Sequence, residues 1–242
     1  MKTIFGRKPV LEAINSGREI EKIVINFSSK NSSLENILIA AKKHGIKVTK
    51  LPAEKFRKYE KQNKNTQGVI AILSDVKYYS VEDLLVAERK NKYALFLVLD
   101  TIQDTHNLGA ILRTAEASGV DGVIITENKS APINDTVEKT SAGALSYLKI
   151  AKVTNLANAI RTLKENGIWV IGSSLDTEKD FTEIDYRKDV AIIVGNEEKG
   201  IRRLTAKLCD EVVKIPMFGK IQSLNVSVAT GILLYEVIKQ RQ

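Results

Sequence analysis

The stretch Val213-Lys214-Ile215-Pro216-Met217-Phe218-Gly219-Lys220-Ile221-Gln222-Ser223-Leu224-Asn225-Val226-Ser227-Val228-Ala229 decides how the rest of the chain is read. It begins at the end of an apolar run, Val212 to Ile215, of the kind that forms a buried strand. Pro216 lacks the N–H that a continuing ladder would need. A polar loop follows, and then an apolar helical stretch runs to about Gln240. Ser223 and Asn225 stand where that helix starts. Small polar side chains there cap free backbone N–H groups or hydrogen-bond a ligand.

Working outward, five similar apolar runs precede this one: Leu95 to Leu99, Gly122 to Ile125, Leu148 to Val153, Ile168 to Ile171 and Val190 to Val194. Helical segments separate them. Continuous β-rich runs alternating with helices predict an α/β fold with a parallel sheet covered on both faces. Ligands of such sheets bind beyond the carboxyl ends of the strands, so the residues directly after each run are the candidates. None of the 14 glycines has another two residues away, so the dinucleotide fingerprint is absent. There is no P-loop pattern and no Gly-x-Ser-x-Gly elbow.

Three strand ends remain. After Leu99 comes a polar loop, then a helix expected to start near Asn107, with Asn107 as its cap and Gly119 at its end. Asn107 and Arg113 are six residues apart and fall on different faces of an ideal helix, so they converge only if Asn107 sits in the loop. After Val194 comes Gly195-Asn196-Glu197-Glu198-Lys199-Gly200, a turn with glycine at both ends. The third is the opening stretch.

The first third of the chain differs in charge. Up to Asp75 it carries 15 basic and 7 acidic residues, whereas the remainder carries 22 of each; the whole net charge of +8 therefore sits there. A compact unit that basic attracts a polyanion such as RNA, or is a lysine-rich solubilising surface. It reads as a small α/β unit: helices over Lys8 to Asn15 and Ser33 to His44, capped by Ser32 or Ser33, and strands over Ile20 to Ile25, Ile46 to Leu51 and Gly68 to Leu73. Lys55-Phe56-Arg57-Lys58-Tyr59-Glu60-Lys61 mixes aromatics with bases, as RNA-binding surfaces do, or is a solvated helix face with Phe56 buried. The expected division is 1–75, a polar linker over 76–92, and 93–242.

The composition excludes other classes. Cys209 is the only cysteine, so no intrachain disulfide forms. With His44 and His106 it makes too few ligands for an ordinary zinc site, and no metal is expected. The first residues lack the apolar core of a signal peptide, and no run approaches the roughly 20 residues of a membrane span. The expected compartment is the cytoplasm, with no membrane partner.

Taken together and in order, Asn107-x-Gly109-x-x-x-Arg113, Gly195-x-Glu197-x-x-Gly200 and Ile215-Pro216-Met217 with Ser223-Leu224-Asn225-Val226-Ser227 resemble the three signature motifs of the SpoU (TrmH-like) family of RNA 2′-O-ribose methyltransferases, in the SPOUT superfamily. Ile4-Phe5-Gly6-Arg7-Lys8-Pro9-Val10-Leu11-Glu12-Ala13 and Gln67-Gly68-Val69-Ile70-Ala71 resemble the branch acting on a guanosine of bacterial 23S ribosomal RNA. The resemblance implies a deep trefoil knot in the C-terminal domain, a ribosomal-protein-like (L30e-like) RNA-recognition domain ahead of it, a homodimer formed through the C-terminal domain, and S-adenosylmethionine as cofactor. It implies RNA rather than DNA as partner. It assigns catalysis to Asn107, Arg113, Glu197 and Asn225, and cofactor binding to Ser173, Gly195, Ile215, Met217, Ser223 and Leu224.

Arginine stays protonated in proteins, so Arg113 clamping an RNA phosphate and orienting the hydroxyl is the physically easier role. Asn107 would orient Arg113, Glu197 would pair with a cation or hold its loop, and Asn225 would touch the reacting ribose. The alternatives are a transfer RNA substrate and a non-catalytic RNA-binding ribosome-assembly factor. A nucleotide-dependent oxidoreductase is weakened by the missing glycine fingerprint.

Overall fold

The computed structural model describes residues 3–16, 18, 20–27, 32–60, 66–73, 76–89, 91–196 and 199–242, the side chains of Ser32, Ser33 and Asp135 apart. The chain divides into two units, Met1–Lys77 and Tyr78–Gln242.

Alternation builds the first unit. Its strands are β1 (Thr3–Phe5), β2 (Ile20–Asn26), β3 (Lys47–Leu51) and β4 (Val69–Leu73), in the order β1-β4-β2-β3. The β2–β3 pair is parallel, and β4 runs antiparallel to both β1 and β2. Successive side chains of a strand point to opposite faces. Ile23 and Ile25 of β2, with Val69 and Ala71 of β4, therefore meet α1 (Arg7–Asn15) and α2 (Ser32–Lys43). Val24, Ile70 and Ile72 meet Phe56 of α3 (Ala53–Glu60) on the other face. Phe56 is fully buried while Lys55, Arg57 and Lys58 are exposed, so the basic stretch is a solvated helix face over an aromatic anchor. Lys61 and the expected cap of α2 lie outside what is described.

The second unit is a wholly parallel sheet. Its strands are β5 (Tyr78–Tyr79), β6 (Leu95–Asp100), β7 (Gly122–Thr126), β8 (Ile150–Val153), β9 (Trp169–Ser173), β10 (Val190–Gly195) and β11 (Glu211–Val213), in the order β11-β9-β10-β6-β7-β8-β5. Every residue of β6, β7 and β10 is buried, as a sheet covered twice requires. One face carries α4 (Val81–Leu85), α7 (Leu156–Glu165) and α8 (Arg203–Leu208), packed on Phe96, Val98, Ile124, Val170, Ala191 and Ile193. The alternate residues Leu97, Leu99, Val123 and Ile192 are buried on the opposite face, where α5 (Thr105–Ala117), α6 (Asp135–Thr140) and α9 (Val226–Arg241) pack together. Among the described residues no helix is long and apolar enough to cross a membrane.

Three expectations need correction. Tyr78–Tyr79 pairs with β8, and Val81 and Leu84 enter the core, so much of the expected linker 76–92 is part of the second unit. The first helix after β6 begins at Thr105, not Asn107: the Asp104 side chain accepts the Asn107 N–H at 2.7 Å and is the cap. The run from Leu148 forms strand only from Ile150, and the run to Ile215 only as far as Val213.

The connection from β9 to β10, residues 174–189, lies along β11. Ser174 N donates to the Val213 carbonyl, Thr177 Oγ1 to that of Val212, Lys214 N to that of Lys179, and Phe181 N to that of Lys214. The far end of α9 returns to the same connection. The Arg241 guanidinium donates to the carbonyls of Tyr186, Tyr93, Ala94 and Lys188, at 2.7–3.1 Å.

Candidate functional site

The carboxyl ends of β9 and β10 open onto a cavity of about 410 Å³. Ser173 closes β9 and Gly195 closes β10, and both line it. Ile215, Met217, Ser223 and Leu224, from the loop between β11 and α9, line it too. The six residues singled out as cofactor contacts thus meet around one cavity, although they come from three separate stretches of chain.

Gly195 is fixed by close approach of the backbone. A Cβ there would lie 2.1–2.2 Å from the carbonyl carbon and oxygen of Gly200 and the amide nitrogen of Ile201, a distance no side chain tolerates. The loop folds back on itself: Asn196 and Gly200 exchange both backbone hydrogen bonds, at 3.0 and 2.8 Å. Glu197, singled out as catalytic, lies outside the described residues. Gly109 answers to packing instead, since a Cβ on it would meet Thr140 Cβ of α6 at 2.6 Å.

The start of α9 joins two of the motifs. Asn225 is its cap: Asn225 Oδ1 accepts the Ser227 N–H at 2.9 Å and the Ser227 hydroxyl at 2.6 Å. Its Nδ2 donates to Asn107 Oδ1 at 2.9 Å. Of the two readings of Asn225, capping is what the geometry shows; the other end of the amide reaches Asn107. Arg113 is not brought to this pair. Asn107 is helical rather than in the loop, so Arg113 points to another face; it is exposed, makes no hydrogen bond or ion pair with the described residues, and does not line the cavity.

Reading by motif missed part of the lining. Ser174, Leu175 and Asp176 follow Ser173 directly, and the strand-end rule would have found them. Asn196, Lys199 and Gln222 stand inside the quoted segments, and Val226 and Ala229 are the first apolar residues of α9 on that side. Among the described residues the wall is therefore apolar (Ile215, Met217, Leu224, Val226, Ala229), with hydroxyls, amides, one carboxylate and one ammonium around it. That set suits a ligand with a flat heterocycle, a ribose and a zwitterionic amino-acid end, in a cavity of ordinary small-molecule size. S-adenosylmethionine has those three parts and fits the donors present.

The chain was compared with known proteins. Residues 94–235 match the SpoU rRNA Methylase family, and residues 3–79 match a family described as RNA 2′-O ribose methyltransferase substrate binding. A protein of Staphylococcus saprophyticus named for the TrmH family of tRNA/rRNA methyltransferases is 41% identical over 98% of this chain and 95% of its own. The crystal structure of an AdoMet-bound rRNA methyltransferase from Sinorhizobium meliloti superposes with a TM-score of 0.64 at 26% identity, covering 99% of this chain and 87% of that one. That of the A. aeolicus TrmH/SpoU tRNA modifying enzyme gives a TM-score of 0.58 at 36% identity, covering 66% and 80%.

Proposed function

This chain belongs to the SpoU rRNA methylase family of RNA methyltransferases, and on that premise we propose that it transfers a methyl group from S-adenosylmethionine to a ribose 2′-hydroxyl of RNA, with a guanosine of 23S ribosomal RNA as target. The observation that carries the reading is the convergence of Ser173, Gly195, Ile215, Met217, Ser223 and Leu224 on one cavity, with Asn225 and Asn107 hydrogen-bonded beside it.

Bound S-adenosylmethionine supplies an electrophilic methyl on a sulfonium. The chain's residues supply shape and position. The apolar wall from Ile215 to Ala229 keeps water from the reacting centre. Asn225, held by Ser227 and Asn107, presents a fixed amide for the incoming ribose. Holding donor and acceptor in line lowers the barrier by about 7–11 kcal/mol. Arg113 takes an RNA phosphate as a charged, bidentate clamp. Because it lies off the cavity of its own subunit, it serves the cavity of a second copy in a homodimer. Exposed Val228 and Tyr235, seven residues apart on α9 beside α5, supply apolar surface for that contact.

The rest of the reading follows the family. The connection 174–189, with β11 along it and the end of α9 fastened to it, supports a trefoil knot threaded there. The first unit, with a net charge of +9 and its sheet covered on both faces, supports an L30e-like RNA reader. The cytoplasm is the compartment in which its RNA would be met. A transfer RNA substrate is the second reading, favoured by the likeness to the A. aeolicus tRNA modifying enzyme.

The test is transfer of labelled methyl from S-adenosylmethionine to unmodified ribosomal and transfer RNA transcripts, with nucleoside analysis of the product. Labelled 2′-O-methylguanosine from 23S transcripts is expected. Label in a base, or in no RNA, overturns the reading; label confined to transfer RNA selects the second one.

A further inference from the structure

A second cavity, of about 300 Å³, opens on the same carboxyl edge of the sheet. It is lined by Thr126, Asn128 and Lys129 after β7, by the loop from Thr154 after β8, and by Arg202, Leu204 and Thr205 at the start of α8. Among the described residues its lining holds two cations and no carboxylate. The function described above uses none of these residues.

Three features give this cavity a ligand class. The first is the way Arg202 is held. Asp100, fully buried at the end of β6, accepts the Arg202 backbone N–H at 3.0 Å and Nε at 2.6 Å. No other hydrogen bond of that guanidinium is made among the described residues, so its two Nη groups stay available, in an orientation set by the fork. The second is Lys129. It is exposed at φ +62°, a left-handed conformation that disfavours a lysine, and it sets a second cation on the rim. The third is the surrounding chemistry. Asn128 and Asn155 bring amides, and Leu204, 58% exposed, brings an apolar face. Two cations, amides and an apolar face together match one phosphate with its nucleoside.

The location fits the same ligand. In the sheet, β6 lies between β10, whose end lines the first cavity, and β7, whose end lines the second. Those two strand ends are two strand spacings, about 10 Å, apart within the sheet. One segment serves both cavities: Gly195, Asn196, Lys199 and Gly200 line the first, and Arg202, Leu204 and Thr205 the second.

We infer that this second cavity holds a nucleotide of the RNA strand flanking the one methylated, with Arg202 and Lys129 on its phosphate. The inference rests on the RNA-methyltransferase reading and adds a subsite to it.

Lys129→Gly tests it in the full-length protein. Glycine accepts a positive φ, so the fold is spared while the charge is removed. The probe is a fluorescein-labelled single-stranded RNA 12-mer, with binding read by anisotropy across a salt series. Lys129→Gly is expected to weaken binding about two- to fivefold, as loss of one exposed ion pair does, and to lower the salt slope by about 0.7. Lys129→Arg should keep both, and the melting temperature of Lys129→Gly should hold or rise. Equal affinity and slope for wild type and Lys129→Gly overturn the subsite and leave the methyltransferase reading standing. No binding by wild type at low salt overturns both. A loss of affinity that Lys129→Arg fails to restore contradicts a phosphate contact.

Discussion

Asn225 works through both ends of one amide. Its oxygen accepts the Ser227 N–H in the first turn of α9, and its nitrogen donates to Asn107 at the start of α5. One amide thus both caps α9 and joins it to α5. Arg113 stands apart from it, exposed and without a partner among the described residues. Arg113→Ala should lower kcat for RNA methylation about 10²- to 10³-fold, as loss of a charge-stabilising donor does. Affinity for S-adenosylmethionine, measured by calorimetry, should stay within a few-fold; a large loss there would reject the role. Cys209 offers a check on packing at the same scale. Its thiol donates to the Thr205 carbonyl at 3.3 Å and lies 2.8 Å from where a Cβ on Gly172 would stand. Burial first, then the nearby Asp210, pushes its pKa up to about 12. Iodoacetamide at pH 8 should leave it unmodified in the native protein and alkylate it after unfolding; rapid native reaction would contradict that burial. Because the folded thiol's pKa is raised, its share of stability is present below about pH 8.5, the unfolded value, and is lost as pH climbs toward 12.

At the scale of elements, legibility followed burial. The strands β6 and β10 are covered on both faces, so they read as unbroken apolar runs and were found to within a residue. In the first unit β2 and β4 split their side chains between two cores, and the split is plain in their alternation. Tyr78–Tyr79 has too few residues to show any period, and only its pairing with β8 marks it as a strand. The start of α5 was misplaced because Asp104 and Asn107 are both good caps, and the choice is made by a bond of 2.7 Å that no pattern encodes. The first cavity was legible through its motif residues. The second was not, because Lys129 and Arg202 stand in polar segments of ordinary composition. The end of α9 carries a prediction of its own. Arg241→Ala removes a guanidinium that binds four carbonyls, and should cost on the order of 3 kcal/mol in urea unfolding, as losing charged hydrogen bonds does. A cost within the noise of a surface substitution would mean that the helix end is not fastened to residues 186–188.

Across the whole molecule the two units differ in charge and in sheet type. The first carries 16 basic and 7 acidic residues, a net of +9, on a mixed sheet; the second carries 21 basic and 22 acidic and is wholly parallel, with both cavities described above at its carboxyl edge. A polyanion drawn by the first and a small molecule held by the second are the two demands of the proposed reaction. The parallel sheet was legible from its runs, whereas the path of 174–189 along β11 rests on backbone hydrogen bonds between residues far apart in the chain. Everything in the mechanism depends on the loops after β9, β10 and β11 enclosing S-adenosylmethionine. Calorimetric titration of that compound into the full chain and into Leu224→Glu, which sets a carboxylate on the apolar wall, addresses this directly. Saturable one-to-one binding by the wild type, lost in the variant without loss of melting temperature, is the predicted result; equal binding by both, or by neither, would contradict it.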